Sequence, residues 1–263
     1  MKRKLGIIAE CIAGVKPVDN LALIKEIGFD SFFTDTYSLE TTKELKDKAD
    51  ELGLTYEFIH APFSGINNMW LEGDAYLEVY NGMIDAIDAA AACNVPIVIL
   101  HVSSGWDTPE INDLGLSRYD AIVDYAEKKG VIAAFENLRK TGNVAYFVDR
   151  YENRDCVKFC YDNGHEHCYT KTVCWMDIFT HNVVATHIHD NPGRGWEKVG
   201  DNDFHMLPFD GSCDFEMMMR KLNEYGYEGC LMLELGNSRY QDTMTAKEFL
   251  QTAYDRIKKI SEM

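Results

Sequence analysis

No run of about 18 consecutive apolar residues occurs in the 263-residue sequence, so no membrane-crossing helix is expected. The opening stretch, MKRKLGIIAECIAGVKP, starts basic, but Glu10 breaks its short apolar run and a secretory signal peptide is not expected. Eight cysteines are present, yet no two are spaced C-x-x-C, which argues against zinc-ribbon and thioredoxin-like chemistry. Scattered cysteines without an export signal fit a reducing cytoplasm. Basic residues are scarce: 26 Lys and Arg stand against 43 Asp and Glu, a formal net charge of −17. A nucleic-acid surface leaves a basic footprint, so that class of partner is not expected and the acidity reads as solubility. The turn after the first apolar run reads Glu10-Cys11-Ile12-Ala13-Gly14, not G-x-G-x-x-G, and no Walker motif is present. Both absences weaken an open, doubly wound nucleotide-binding sheet.

What the chain has is alternation. Short Val/Ile/Phe-rich runs take turns with longer amphipathic stretches, the pattern of buried parallel strands and their crossover helices. The runs predict strands at 5–9, 31–34, 55–59, 97–100, 132–135, 157–161, 183–188 and 230–233. The stretches predict helices near 17–28, 39–52, 75–93, 116–129, 143–152, 174–181, 214–225 and 245–260. In the second helix Leu39, Leu45, Ala49 and Leu52 form the apolar stripe, and Gly53 suits its C-cap. Eight β/α pairs without a linker predict an α/β fold: one (β/α)8 TIM barrel domain spanning 1–263, close to the usual ~250 residues. Two connections are long. Residues 61–74 carry Trp70, and 190–213 carry Trp196, Phe204 and His205. Loops of that length are usually functional, and the second, over 192–210, is expected to cover the barrel mouth.

The residue that ends each strand is the informative one. The eight strands run into Glu10, Asp35, His60, His101, Glu136, Asp162 (with His165 three residues on), the His187/His189 pair and Glu234. Every strand thus delivers a carboxylate or an imidazole to the catalytic face of the fold. Burying such groups side by side is costly, and a divalent cation offsets that cost economically. Mixed Glu, Asp and His donors suit Zn, Mn, Mg or Co better than a thiolate site does. His187 and His189, two residues apart on a strand, point to the same side. One can serve a metal and the other a substrate.

Taken in order, His60-Ala61-Pro62, His101, Glu136-Asn137, Asp162-Asn163-Gly164-His165, His187-Ile188-His189-Asp190, Asp203-Phe204-His205 and Glu234 resemble the xylose isomerase-like TIM barrel superfamily. That group holds sugar isomerases, ketohexose 3-epimerases, inosose dehydratases and endonuclease IV-type enzymes. The resemblance implies a metal held by Glu136, Asp162, His187 and Glu234, with the two glutamates also moving protons at a sugar carbon. It implies substrate contact at His165. His60, His101, His165, His189, Asp203 and His205 fall where further metal ligands or substrate contacts would lie. Trp70 and Trp196 are candidates for covering the apolar face of a sugar. A substrate glutamate of the epimerases has no counterpart, because its position holds Gly142. The implied activity is a metal-dependent sugar or sugar-phosphate isomerase or epimerase. Its alternatives are an endonuclease IV-like hydrolase or lyase and an inosose dehydratase-like lyase. The expected partners are a small carbohydrate and, in a homo-oligomer, further copies of the chain.

Overall fold

The computed structural model describes residues 3–194 and 202–263. Eight strands, β1 (Leu5–Ile8), β2 (Ser31–Thr34), β3 (Thr55–His60), β4 (Ile97–Leu100), β5 (Ile132–Glu136), β6 (Val157–Asp162), β7 (Val183–His187) and β8 (Leu231–Leu233), lie in the order β7-β6-β5-β4-β3-β2-β1-β8. All paired neighbours are parallel. The remaining seam, between β7 and β8, is joined by a parallel bridge of Ile188 with Leu233. There the Ile188 amide donates to the Met232 carbonyl (2.8 Å) and the Glu234 amide to the Ile188 carbonyl (3.1 Å). The (β/α)8 TIM barrel expected from the alternation is what forms.

The helices are α1 (Pro17–Ile27), α2 (Leu39–Leu52), α3 (Leu77–Cys93), α4 (Asp113–Lys129), α5 (Thr141–Arg150), α6 (Asn163–Tyr169), α7 (Trp175–Phe179), α8 (Phe215–Glu224) and α9 (Ala246–Ser261). Their ends follow local chemistry. Ser38 caps α2 by accepting from the Thr41 amide, and α2 stops at Gly53, whose φ of 65° favours glycine. Asp214 caps α8, and Thr245 with Glu248 forms a capping box on α9. Two expectations need correction. Leu39 sits at the exposed start of α2, and Thr42 takes its place on the buried face. Helix α6, directly after β6, had no counterpart in the sequence reading, while the helix expected over 174–181 is shorter and ends in a 3-10 turn at Thr180–Asn182.

Phe33 and Phe58 stack on each other inside the barrel, ring centroids 4.7 Å apart, and both lie against the His187 ring. They form an apolar floor under the strand-end residues. Among the described residues, no helix is long and apolar enough to cross a membrane.

Candidate active site at the barrel mouth

The strand ends converge on His187. Its Nδ1 lies 3.3 Å from Glu136 Oε1, 3.3 Å from Glu234 Oε2 and 3.9 Å from Asp162 Oδ2. Both His187 nitrogens, Glu136 Oε1 and Glu234 Oε2 are buried without a hydrogen-bond partner. Orphaned polar atoms of this kind are expensive unless something binds them. Ligands of one cation at about 2.0–2.2 Å stand roughly 3–3.5 Å from each other. Glu136 and Glu234 stand at that spacing from His187, and Asp162 lies somewhat farther off.

Two further groups flank this one. His60, His101 and Glu136 bring their donor atoms together, with His60 Nε2 3.2 Å from His101 Nε2 and His101 Nε2 3.0 Å from Glu136 Oε2. On the other side stand His165, Asp203 and His205, with His165 Nε2 3.1 Å from Asp203 Oδ2 and His205 Nε2 3.4 Å from Asp203 Oδ1. The backbone sets the tautomers. The Nδ1 atoms of His60, His165 and His205 lie 2.8, 3.0 and 2.8 Å from the carbonyl oxygens of Ala61, Asn137 and Glu234. A carbonyl only accepts, so each Nδ1 carries a proton, and in the neutral form of each ring Nε2 is the atom whose lone pair faces its group.

Without a cation the ionisations are strongly distorted. Burial opposes charge on His60, but Glu136 outweighs it and holds the imidazolium up to about 9. At His101 burial prevails and lowers the pKa to about 4. Burial works against the Glu136 carboxylate too, yet His187 and His101 hold it well below the usual range. Glu234 goes the other way: burial and the charges of Glu136 and Asp162 push it up against the pull of His187 and His205. Asp203 is held low by His165 and His205 despite its burial.

A cavity of about 310 Å3 opens over the centre. Glu136, Glu234, His60, His101, His165, Asp203 and His205 reach its wall. Asp162, His187 and His189 lie beneath it, fully buried. His189 does share a side with His187, but it is sandwiched: Nε2 lies 3.3 Å from Asp162, and the His205 ring stacks on it at 4.0 Å. His189 lies below the wall, and its donor atom groups with those of His205 and Glu234 closely enough to share a metal ion. His205 is delivered by the long connection after β7, with φ of 44°, a conformation uncommon outside glycine.

Trp70 is not at the mouth. It ends a 3-10 turn (Ile66–Trp70), packs its buried ring against Tyr119 and Phe147, and donates Nε1–H to the Val102 carbonyl at 2.8 Å. A buried indole needs such a partner, and this one fastens the loop to the segment that follows β4 rather than meeting a ligand. The exposed aromatic on the cavity wall is Phe63, stacked on His101 at 4.5 Å. Trp196 lies outside the described residues. Glu10 and Asp35 are not on the wall: Glu10 accepts from the amide and hydroxyl of Thr36, and Asp35 is exposed. The structure adds Ser103, Ser104, Leu138 and Tyr169 to the wall, and Arg139 as its single Lys or Arg among the described residues. No spacing rule marked these. Their only signal was a place just after a strand-end residue or on the helix that follows.

An eight-stranded barrel whose carboxylates and imidazoles meet at the carboxyl ends of the strands defines the class. The family model described as xylose isomerase-like TIM barrel matches residues 21–259, and the chain belongs to that family. An uncharacterized protein of Sinorhizobium fredii is 29% identical over 191 residues, covering 67% of this chain and 58% of its own length. An inosose dehydratase of Glaesserella parasuis is 26% identical over 149 residues, 49% of this chain and 50% of that protein. The chain thus spans little more than half the length of these relatives. Among solved structures, a D-tagatose 3-epimerase-like protein superposes with a TM-score of 0.77 at 21% identity, covering 98% of this chain and 97% of the other. A D-psicose 3-epimerase from Clostridium cellulolyticum, in a structure with D-tagatose, gives 0.77 at 15% identity, covering 98% of each chain.

Proposed function

We propose that this chain is a divalent-metal-dependent sugar isomerase or epimerase that moves a proton at a carbon beside a carbonyl. One observation carries the reading: Glu136 and Glu234 both touch the His187 centre and both reach the cavity wall. Glu136, Asp162, His187 and Glu234 would hold the metal. The imidazole-rich surroundings favour Zn, Mn or Co over Mg. When bound, such an ion acts as a Lewis acid on neighbouring substrate oxygens. The two glutamates flank the space where a sugar carbon would sit, so one can remove a proton and the other return it. His165, on the wall and held by Asp203, would orient a substrate hydroxyl. Phe63 offers a flat apolar surface to C–H groups. The family, and the fold shared with sugar epimerases, support this reading.

The test combines metal analysis with solvent deuterium exchange over a panel of ketoses, inososes and their phosphates. Asp162→Ala and His187→Ala should lose metal and exchange together. Glu136→Gln and Glu234→Gln should retain part of the metal and lose about 100-fold or more in exchange. Full metal in both alanine variants, or wild-type exchange in both glutamine variants, would refute the assignment.

A second reading has its own observation. The two flanking groups, His60–His101–Glu136 and His165–Asp203–His205, each bring three donors within 4.8 Å. Several metals together would suit a hydrolase or a lyase that generates hydroxide. The −17 charge weighs against a nucleic-acid substrate. Two to three equivalents of bound metal with cleavage of an abasic-site duplex, or dehydration of an inosose, would move the assignment there.

A further inference from the structure

Asp203 reaches the mouth from the connection after β7, and its two oxygens keep different company. Oδ2 lies 3.1 Å from His165 Nε2 and accepts from the Tyr169 hydroxyl at 3.0 Å. Oδ1 is buried without a hydrogen-bond partner, 3.4 Å from His205 Nε2 and 3.7 Å from His189 Nε2. The roles at the Tyr169 oxygen follow from its neighbours. Arg139 Nη2 stands 2.5 Å away and can only donate, so the phenol oxygen accepts there and its own proton goes to the Asp203 carboxylate. A phenol polarised by a guanidinium is the stronger donor for it.

Tyr169 is well placed to aim another group because it is itself held on several sides. It comes one helical turn after His165 on α6 and stacks on that ring, centroids 5.1 Å apart at 25°. The Arg139 guanidinium covers its face at 3.8 Å, and Trp106 meets it edge to face at 5.8 Å. The segment it ties needs holding. Two residues beyond Asp203, His205 has the φ of 44°, a costly conformation that persists only where the surroundings enforce it. Past that point the chain is anchored by His205 to the Glu234 carbonyl and by the Met206–Asp190 bridge. Before it, Asn202 donates to the Gly193 carbonyl, and Asp203 meets His165 and Tyr169. A carboxylate held at one point can turn about that point. With Oδ2 engaged from two directions it cannot, and Oδ1 is the oxygen left to the centre.

We propose that Tyr169 is a positioning residue, whose hydroxyl fixes the Asp203 carboxylate so that Oδ1 faces His189 and His205 at the barrel mouth. Only the kinetic arm of its test rests on reading that mouth as an isomerase or epimerase site. The experiment is a double-mutant cycle of Tyr169→Phe, which keeps the ring and removes the hydroxyl, with Asp203→Ala. Its first readout needs no substrate: imidazole 15N spectra of the zinc-loaded full chain. Tyr169→Phe should move the His165 and His205 ring resonances part of the way that Asp203→Ala moves them, and should add nothing in the double variant. Amide hydrogen exchange over residues 202–206 should rise in Tyr169→Phe. The second readout is solvent deuterium exchange on the ketoses and inososes of the panel. Tyr169→Phe should lower kcat/KM about tenfold in the wild-type background and less than about twofold in the Asp203→Ala background. Unmoved ring resonances with unchanged amide exchange over 202–206 overturn the proposal. So do additive losses in the cycle, which would mean that the hydroxyl meets substrate itself instead of acting through Asp203. Non-additive ring shifts in a protein that exchanges no substrate proton would leave the positioning role standing and remove the isomerase reading. Substrate exchange in wild type, matched in rate and spectra by Tyr169→Phe, would do the reverse.

Discussion

Asn137 and Asn163 each follow a candidate metal ligand and, by the same device, hold a residue at or just past the end of the next strand. The Asn137 side chain donates to the Asp162 carbonyl and accepts from the Asp162 amide, both at 2.8 Å. Asn163 does the same with His189 at 3.0 Å. A planar amide thus continues the ladder one step past the strand ends, where the backbone turns away, and fixes the angle at which the ligands project. Gly164 comes next because nothing larger fits: a Cβ there would stand 1.9 Å from the His189 ring. Gly164→Ala should push His189 off Asp162 and lower bound metal, measurable by elemental analysis, with a stability loss of about 1–3 kcal/mol. Full metal in the variant would contradict the packing argument. Glu10 supplies a separate prediction. Burial, and then the charge of Asp35, push its pKa from 4.5 to about 7. A carboxyl raised in the folded state stabilises below its unfolded pKa and loses that contribution as pH rises toward 7. Wild type should therefore lose up to about 3 kcal/mol relative to Glu10→Gln between pH 4.5 and 7, seen in paired denaturation curves. These ligand types were readable because strand ends mark them. Trp70 was not, since residue type says nothing about whether an aromatic ring turns toward the mouth or toward α4.

At the level of elements, the missed helix α6 shows what periodicity leaves out. Its seven residues, NGHEHCY, carry no apolar stripe and have a glycine at the second position. Asp162 nonetheless caps them, its carboxylate accepting from the His165 amide at 2.6 Å. One side chain therefore starts the helix and faces His187, and no hydrophobic pattern records either task. The β3 connection shows a second such device. Arg118, buried on α4, donates Nη1 to the carbonyls of Asn68, Met69 and Leu71, and its guanidinium covers Tyr76. Arg118→Ala should cost about 2–4 kcal/mol and raise amide exchange around residues 66–72 first. Uniform destabilisation with unchanged local exchange would show that the loop is held otherwise. Beyond β7, Asp190 accepts from the amides of Asn191, Phe209, Gly211 and Cys213, tying down the turn that follows His205. The sequence marked Asp190 only as the last residue of the His187-Ile188-His189-Asp190 motif. Its structural work depends on residues about 20 positions away, which local patterns do not connect.

For the molecule as a whole, the alternation of strands and helices was legible because both faces of a parallel sheet are buried and the pattern repeats eight times. The expectation of one domain over 1–263 has a direct test: a single cooperative unfolding transition, coincident by circular dichroism and tryptophan fluorescence. Two separated transitions would reject it. A site metal should raise that transition, by about 2.7 kcal/mol at a hundredfold excess over Kd, or roughly 5–10 °C. Chelation should reverse the gain, and no shift with any divalent ion would count against the metal reading. The ring itself gives that linkage a location. β8 is three residues long, and its seam with β7 is the Ile188–Leu233 bridge. His187 stands on one side of this joint and Glu234 on the other. An ion gripped by both would rivet the hoop where it is thinnest, so loading the site would tighten a seam that the backbone already closes. The Ile188 and Glu234 amides, which cross that joint, are the atoms whose solvent exchange would report it.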